Sequence, residues 1–416
     1  MKTVIMAGGK GTRISSIASD IPKPMIRIGE KPVLQLEIES LKKQGFDDFI
    51  ITISHLGEII RDYFGDGSKL GVKIEYYNET IPLGNAGALF KIKDKLQGDF
   101  LLINGDVLFD VDVKRMYRKH LEKGALVSIL THPNTHPYDS GIIETDENNC
   151  VLKWFTKEDD RPKYYRNRVN AGIHILSASV LDQKIEKEKI DLDRDILKPL
   201  CGTGTMYAYD SPEYVKDMGT PERYKEVCRD FLSGKVERRN LSNKQKAIFL
   251  DRDGTVNRFV GFLRNIEDLE LLDNAAEAIK TINTSDYLAI IVTNQPVIAR
   301  GEVTFDQLDE IHKKLETLLG EKGAFLNAIY FCPHHPDSGF EGEIKELKID
   351  CDCRKPKPGM LLKAAEDYNI DLNQSYMIGD SENDVKAGLA AGCQSIQIER
   401  NGDLLEAVRK VLGEEE

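Results

Sequence analysis

The sequence predicts an α/β chain of two domains, each built on a mostly parallel sheet. Three observations predict it. Short apolar runs alternate with amphipathic stretches along both halves. Several of these runs end on an acid or a glycine-rich turn, the place where open α/β sheets gather ligands. The pattern also restarts in mid-chain at residues 247–257, behind a polar stretch with no apolar stripe.

Composition sets the bounds. Of 416 residues, 41% are hydrophobic and 30% charged, ordinary for a globular chain, and that length favours two or three cores over one. A net charge of -12 argues against nucleic acid or an anionic membrane surface as partner. No apolar run reaches the roughly 20 residues that span a bilayer. Residues 2–7 read as a strand entering a glycine loop rather than as an export signal. Seven cysteines, an odd count, suit a reducing compartment, so a cytoplasmic location is expected. A homo-oligomer is compatible with all of this.

In the first half, strands are expected at 3–6, 49–53, 72–77 and 100–103, and helices at 33–44, 58–64 and 86–96. The first strand runs into Ala7-Gly8-Gly9-Lys10-Gly11-Thr12-Arg13. Its glycines let backbone amides approach a polyphosphate, and Lys10 and Arg13 add positive charge. The spacing is neither that of a Walker A loop nor G-x-G-x-x-G. Lys23 stands between Pro22 and Pro24, which restrict the backbone that presents its ammonium. Gly84-Asn85-Ala86-Gly87 opens a helix with small residues suited to a ribose or base. Asp106 closes one strand and Asp217 precedes another turn, a pair able to hold Mg²⁺ together with phosphate oxygens.

Residues 234–245 are polar and read as a linker. In the second half, Ala247-Ile248-Phe249-Leu250 is a buried strand that delivers Asp251 and Asp253 to one crevice. Two such close carboxylates demand a cation or a proton between them. Further strands are expected at 288–292 and 376–378, and helices near 305–319 and 361–368. They place Thr293 and Asn294, then Arg354 and Lys355, then Asp380, at successive strand or loop ends, where hydroxyl, amide and cation suit phosphate oxygens. Asp384 is a further acid just beyond that strand end, and the resemblance given below would make it a supporting one. Cys332, His334, Cys351 and Cys353 form C-x-H and C-x-C pairs whose donors suit tetrahedral zinc in a structural loop; a disulfide or simple clustering are the alternatives.

Taken together, the motifs of residues 1–233 resemble the sugar-nucleotide pyrophosphorylases, nucleotidyltransferases acting on sugar 1-phosphates. The resemblance makes Ala7, Gly8, Gly9, Gly11 and Thr12 the nucleotide loop, with Gly84, Asn85 and Gly87 at the nucleoside. It gives Arg13 and Lys23 the catalytic charges, Asp106 and Asp217 the Mg²⁺, and Asn170 and Gly172 the sugar. The family often has Phe-x-Glu-Lys-Pro before that last segment; here Phe155-Thr156-Lys157-Glu158 transposes the charges, leaving Lys157 to meet the sugar phosphate.

Residues 246–416 resemble the haloacid-dehalogenase-like (HAD) phosphatases. The resemblance makes Asp251 the nucleophile, Asp253 the general acid–base, Thr293, Asn294, Arg354 and Lys355 the phosphate ligands, and Asp251, Asp253 (through its carbonyl) and Asp380 the Mg²⁺ ligands. With about 40 residues between Asp253 and Thr293, a small cap or none is implied. The zinc loop narrows the likeness to heptose bisphosphate and histidinol phosphatases. Departures are Pro296-Val297 where Ser-Gly is common, and Phe259-Val260-Gly261-Phe262 where Asp-His-Gly-Tyr is common.

These resemblances imply two Rossmann-like domains, a nucleotidyltransferase at 1–233 and a HAD-like phosphatase at 246–416. They imply a bifunctional enzyme of activated-heptose synthesis with Mg²⁺ in both domains, zinc in the second, and GTP and heptose phosphates as substrates. The first domain also looks like the guanylyltransferases of D-glycero-α-D-manno-heptose 1-phosphate. Another sugar, a histidinol-phosphate-type phosphatase, or one half acting only as a sugar-nucleotide sensor remain the alternatives.

Overall fold

The computed structural model describes residues 1–8, 20–156, 158–339 and 341–413. Gly9, Gly11, Thr12 and Arg13 of the expected nucleotide loop lie outside the described residues, as does Lys157.

The chain forms two compact units: Met1–His132, Ile143–Trp154 and Asn170–Asn240 make the first, and Pro133–Ile142, Phe155–Val169 and Leu241–Glu416 the second. Two segments that precede the join in sequence thus belong to the second unit. Polar groups of Phe155–Val169 pair with the helix Phe305–Glu321, and Pro137 packs beside Gly320 of the same helix.

In the first unit, Lys2–Met6 lies at the middle of a nine-stranded sheet. It pairs in parallel with Asp48–Ile53 on one side and Asp99–Asn104 on the other, and Lys73–Asn78 adds in parallel beyond. Val4, Ile5, Ile51, Leu101, Leu102 and Ile103 are all wholly buried, as a parallel sheet covered on both faces requires. Val169–Ser177 joins Asp99–Asn104 antiparallel. Beside the sheet, Tyr214–Asp217 pairs antiparallel with Val107–Asp110, and Asp217 stands opposite Val107. That register brings Asp217 next to Asp106.

The helices Val33–Lys43 and Gly57–Phe64 form where the pattern places them. The expected helix over 86–96 does not: Gly87–Lys91 is helical, Ile92 departs at φ -105° and ψ 6°, and Lys93–Lys95 is a 3-10 turn. The polar join is docked rather than free. Lys235–Arg238 turns helical and Val236 is buried with Ile26, Ile28 and Val227.

The second unit is a five-stranded parallel sheet in the order Ala328–Cys332, Tyr287–Asn294, Lys246–Leu250, Tyr376–Gly379, Gln394–Gln397. Lys246–Leu250 is central, so its carboxyl end opens where three strands converge. Between Asp253 and Thr293 the only helical elements are the 3-10 turn Ile266–Asp268 and the helix Ala275–Thr284, so no cap domain is inserted there. A capping box of Thr304 and Gln307 starts the helix Phe305–Glu321, whose Ile311, Leu315 and Leu319 face the core.

Candidate active sites and metal centre

In the first unit the strand ends wall a cavity of about 420 Å³, lined among others by Gly8, Glu79, Gly84, Asn85, Asn104 and Asp106. Lys23 sits on a 3-10 turn begun by Pro22, and its Nζ donates to Asp106 Oδ2 at 2.5 Å. The same ammonium helps hold the Asp217 carboxyl low. Burial pushes that carboxyl up, but Arg223, at 2.8 and 3.0 Å, the Gly219 amide and Lys23 together outweigh it. Asp106, Asp217 and Lys23 therefore converge. Two carboxylates beside one ammonium are a donor set that fits a divalent ion.

Gly84, at φ +85°, packs so close to the Ile190 backbone that any Cβ would collide. Asn85 accepts from the Leu192 amide at 2.7 Å and reaches Asp191 at 3.3 Å. Its amide thus shapes the loop as well as the cavity. Gly87 is buried at the helix start. Ala7 donates its amide to Thr52, and Ser54 Oγ donates to the Gly8 carbonyl at 2.6 Å.

Asn170 Oδ1 takes the Gly172 amide and the His174 ring, each at 3.0 Å. His174 is wholly buried, and burial pushes its pKa down to about 4. It therefore stays neutral and donates Nε2–H, fixing Asn170.

In the second unit Lys355, 3% exposed, lies between Asp251 and Asp384 at 2.5 Å from each and also donates to the Val292 carbonyl at 2.8 Å. Burial pushes the Asp251 carboxyl up to about 7; Lys355 opposes the rise, and Asp384 and Asp253 add to it. Asp251, Asp380 and Asp384 bring carboxylate oxygens within 4.8 Å of one another. The set fits a hard divalent cation. Gly254, at φ +90°, lets Asp380 approach so closely that a Cβ would lie 2.6 Å from its Oδ2.

The Asp253 carboxylate stands apart from that cluster. Burial raises its pKa, but Arg252, Asn257 and Gln295 outweigh burial and hold it below the usual carboxylate value. Arg252 reaches it at 2.8 and 3.0 Å, Gln295 at 2.9 Å and Asn257 at 3.0 Å. Only its backbone carbonyl is left for the cation.

Thr293 is buried and receives the Gln295 amide at 2.9 Å. Asn294 exchanges two bonds with the Lys355 backbone, and Arg354 donates to the His334 carbonyl. In this arrangement both organise the loop that carries Lys355. Arg400 bonds Asp380 at 2.7 Å and covers the Phe259 ring at 4.0 Å.

Cys332, His334, Cys351 and Cys353 gather as one group, with thiol and ring-nitrogen separations of 3.2 to 3.7 Å. Those edges approach the about 3.8 Å of a tetrahedron with zinc–sulfur bonds of ~2.3 Å. All seven cysteines are free, and His335 turns instead to the Asp337 amide.

Sequence reasoning missed Glu79, Arg223, Arg252, Asn257 and His312. Arg252 carried a signal, an arginine fixed between two functional aspartates; Glu79 carried none beyond preceding Pro82-Leu83-Gly84.

The Nucleotidyl transferase family matches residues 2–234, and a HAD-hydrolase-like family matches residues 352–410. A UTP–glucose-1-phosphate uridylyltransferase of Synechocystis sp. is 34% identical over 252 residues, 57% of this chain and 65% of that protein, just under two thirds of its length. A D-glycero-beta-D-manno-heptose-1,7-bisphosphate 7-phosphatase of Pasteurella multocida is 42% identical over 158 residues, 38% of this chain and 83% of that protein. The phosphatase of the same name from Escherichia coli K12 is 39% identical over 162 residues, covering 39% and 83%. Among solved structures, a putative glucose-1-phosphate thymidylyltransferase of Bacillus anthracis aligns with TM-score 0.50 at 21% identity, over 55% of this chain and 94% of that one, which bears on fold alone. No described helix is long and apolar enough to cross a membrane.

Two outcomes are expected. His174 has a folded pKa of about 4 against ~6.5 unfolded, so the unfolded chain takes up the proton first. Stability should fall as pH drops from 6.5 towards 4, by about 3 kcal/mol from this residue. Urea unfolding of wild type and His174→Gln across that window checks it, the variant lacking that component. Purified protein should carry about one zinc per chain, lost in Cys353→Ser; elemental analysis of a folded but metal-free wild type would remove the assignment.

Proposed function

We propose, from the premise that this chain belongs to the nucleotidyl transferase family and carries a second unit of the heptose bisphosphate phosphatase family, that one polypeptide runs two consecutive reactions. The second unit would release phosphate from D-glycero-D-manno-heptose 1,7-bisphosphate. The first would then join the resulting heptose 1-phosphate to a nucleotidyl group, GMP from GTP, with loss of pyrophosphate. The observation that carries this reading is the repeated device of a lysine clasped by carboxylates at a strand end, Lys23 with Asp106 and Lys355 with Asp251 and Asp384. Small-molecule phosphate substrates and seven free thiols suit the cytoplasm.

In the phosphatase, Asp251 Oδ attacks phosphorus and forms an aspartyl-phosphate as the ester P–O bond breaks. Asp253, which Arg252 keeps ionised at rest, must take up a proton as substrate binds; it gives that proton to the departing sugar oxygen, then takes one from the water that hydrolyses the intermediate. Lys355 and Thr293 hold the phosphoryl oxygens. Mg²⁺, held by Asp251, Asp380 and the Asp253 carbonyl with Asp384 behind, would neutralise phosphoryl charge.

In the transferase, the sugar 1-phosphate oxygen attacks the α-phosphorus and pyrophosphate leaves. No protein nucleophile is needed; positioning and charge do the work. Lys23, Arg13 and Lys157 supply positive charge, Asp106 and Asp217 the cation site, and Asn170 and Gly172 the sugar contacts. Zinc in the Cys332 group would clamp the loop before Lys355.

Glu79 supports the choice of guanine. It lines the cavity, the Leu83 amide holds its carboxylate, and no lysine or arginine pairs with it among the described residues. An acid with no cation beside it among the described residues suits a donor of the base better than a phosphate oxygen. Guanine offers two adjacent donors, N1–H and the 2-amino group, where adenine and cytosine offer one amine and uracil one N–H.

With heptose 1-phosphate and each of GTP, ITP, ATP, CTP and UTP, pyrophosphate release should be fastest with GTP. ITP, lacking the 2-amino group, should lose roughly 10-fold in kcat/KM, and Glu79→Gln should erase that gap. Equal rates for GTP and ITP in wild type would dismiss the guanine assignment. Release with none of the five would dismiss the transferase reading.

A further inference from the structure

The second unit holds a polar chain that no step above uses. Its start is the segment Phe155–Val169, which leads directly into Asn170 of the expected sugar site. Arg166 on this segment forks between two acids of the helix Phe305–Glu321, reaching Asp309 at 2.8 Å and Glu316 at 2.7 Å. The Asn167 amide also meets Glu316 at 2.7 Å, and Tyr165 exchanges two bonds with Thr317. The segment is thus tied down by charge-assisted bonds along two helical turns.

Positions 309, 312 and 316 share one helix face. His312 is 1% exposed and lies among Arg166, Arg252 and the Phe331 ring, whose centroid is 5.7 Å away. Burial, Arg166 and Arg252 all disfavour its charged form. Its Nε2 is 3.1 Å from Arg252 Nη1, a donor that can never accept, so Nε2 must be the bare acceptor. Arg252 is wholly buried, and its other edge grips both oxygens of Asp253.

We propose that Arg166 is a positioning residue for the phosphatase: by neutralising Asp309 and Glu316 it keeps His312 an uncharged acceptor, which anchors Arg252 and so aims the Asp253 carboxyl. Without Arg166, Glu316 loses its counter-charge, Asp309 is left with Lys313 alone at 3.1 Å, and the imidazole loses a repelling neighbour. A protonated His312 has no lone pair for Arg252 and repels it, and Asp253 then loses its fixed orientation. The chain that carries this control belongs to the phosphatase unit in space and to the transferase stretch in sequence.

The proposal rests on the acid–base role of Asp253 given above, and the leaving group separates the two. Expelling a sugar alkoxide needs a proton from Asp253, whereas p-nitrophenolate leaves without one. In full-length protein, Arg166→Ala should lower kcat/KM for an alkyl sugar phosphate by at least about 10-fold while p-nitrophenyl phosphate changes less than about 3-fold. Arg166→Ala/His312→Gln should recover most of the loss, since glutamine accepts from Arg252 and cannot be protonated. A role in packing alone would leave that double variant no better than the single one.

An equal drop for both esters, no drop for either, or no recovery would overturn the proposal. If Asp253→Asn in the same assay treats both esters alike, the acid–base reading fails instead, and the proposal with it.

Discussion

The buried ammonium of Lys355 is the contact on which the phosphatase unit depends. Three charges, Lys355, Asp251 and Asp384, are withdrawn from water in one cluster, and each is tolerable only because of the others. Removing the lysine would strand two acids in a low-dielectric pocket, a loss typically of 3–5 kcal/mol for a broken buried pair. The central strand, the Val292 carbonyl and the Asn294 clasp on the Lys355 backbone all serve to place that one nitrogen. The same cluster that is costly to fold holds opposite charges already oriented, which is what the proposed phosphoryl and divalent-cation chemistry requires.

The transferase unit solves the same problem with less burial. Asp106 is over a third exposed at its side chain; Lys23 bonds Asp106, and its charge also acts on Asp217, which stands opposite Val107. A cavity of about 420 Å³ with a partly exposed acid suits a large ligand that brings its own charge. A small enclosed cluster suits a single phosphate.

Much of this was legible in the sequence because parallel sheets concentrate chemistry at strand ends. Asp106, Asp251, Thr293 and Asp380 each follow an apolar run, and the cysteine and histidine spacing alone brought four zinc-type donors together. The helix over 86–96 misled because its amphipathic pattern outlasts its backbone geometry at Ile92. What stayed hidden were residues defined by distant partners. Arg252 meets His312 sixty positions away, and Arg166 meets Asp309 143 positions away. Neither pairing has a local signature. Glu79 stayed hidden for a different reason: a lone acid beyond a strand means nothing until the cavity it faces is known.

Two independent sites in one chain, working in sequence, are the heart of the account. ³¹P NMR of the full-length protein with heptose 1,7-bisphosphate, GTP and Mg²⁺ tests this most directly, run alongside Asp251→Asn and Asp106→Asn. The account predicts equimolar phosphate and pyrophosphate from wild type. Asp251→Asn should give neither product, and pyrophosphate alone once heptose 1-phosphate is added, whereas Asp106→Asn should give phosphate with stalled heptose 1-phosphate. Pyrophosphate appearing without prior phosphate, or both activities vanishing with either single substitution, would contradict it.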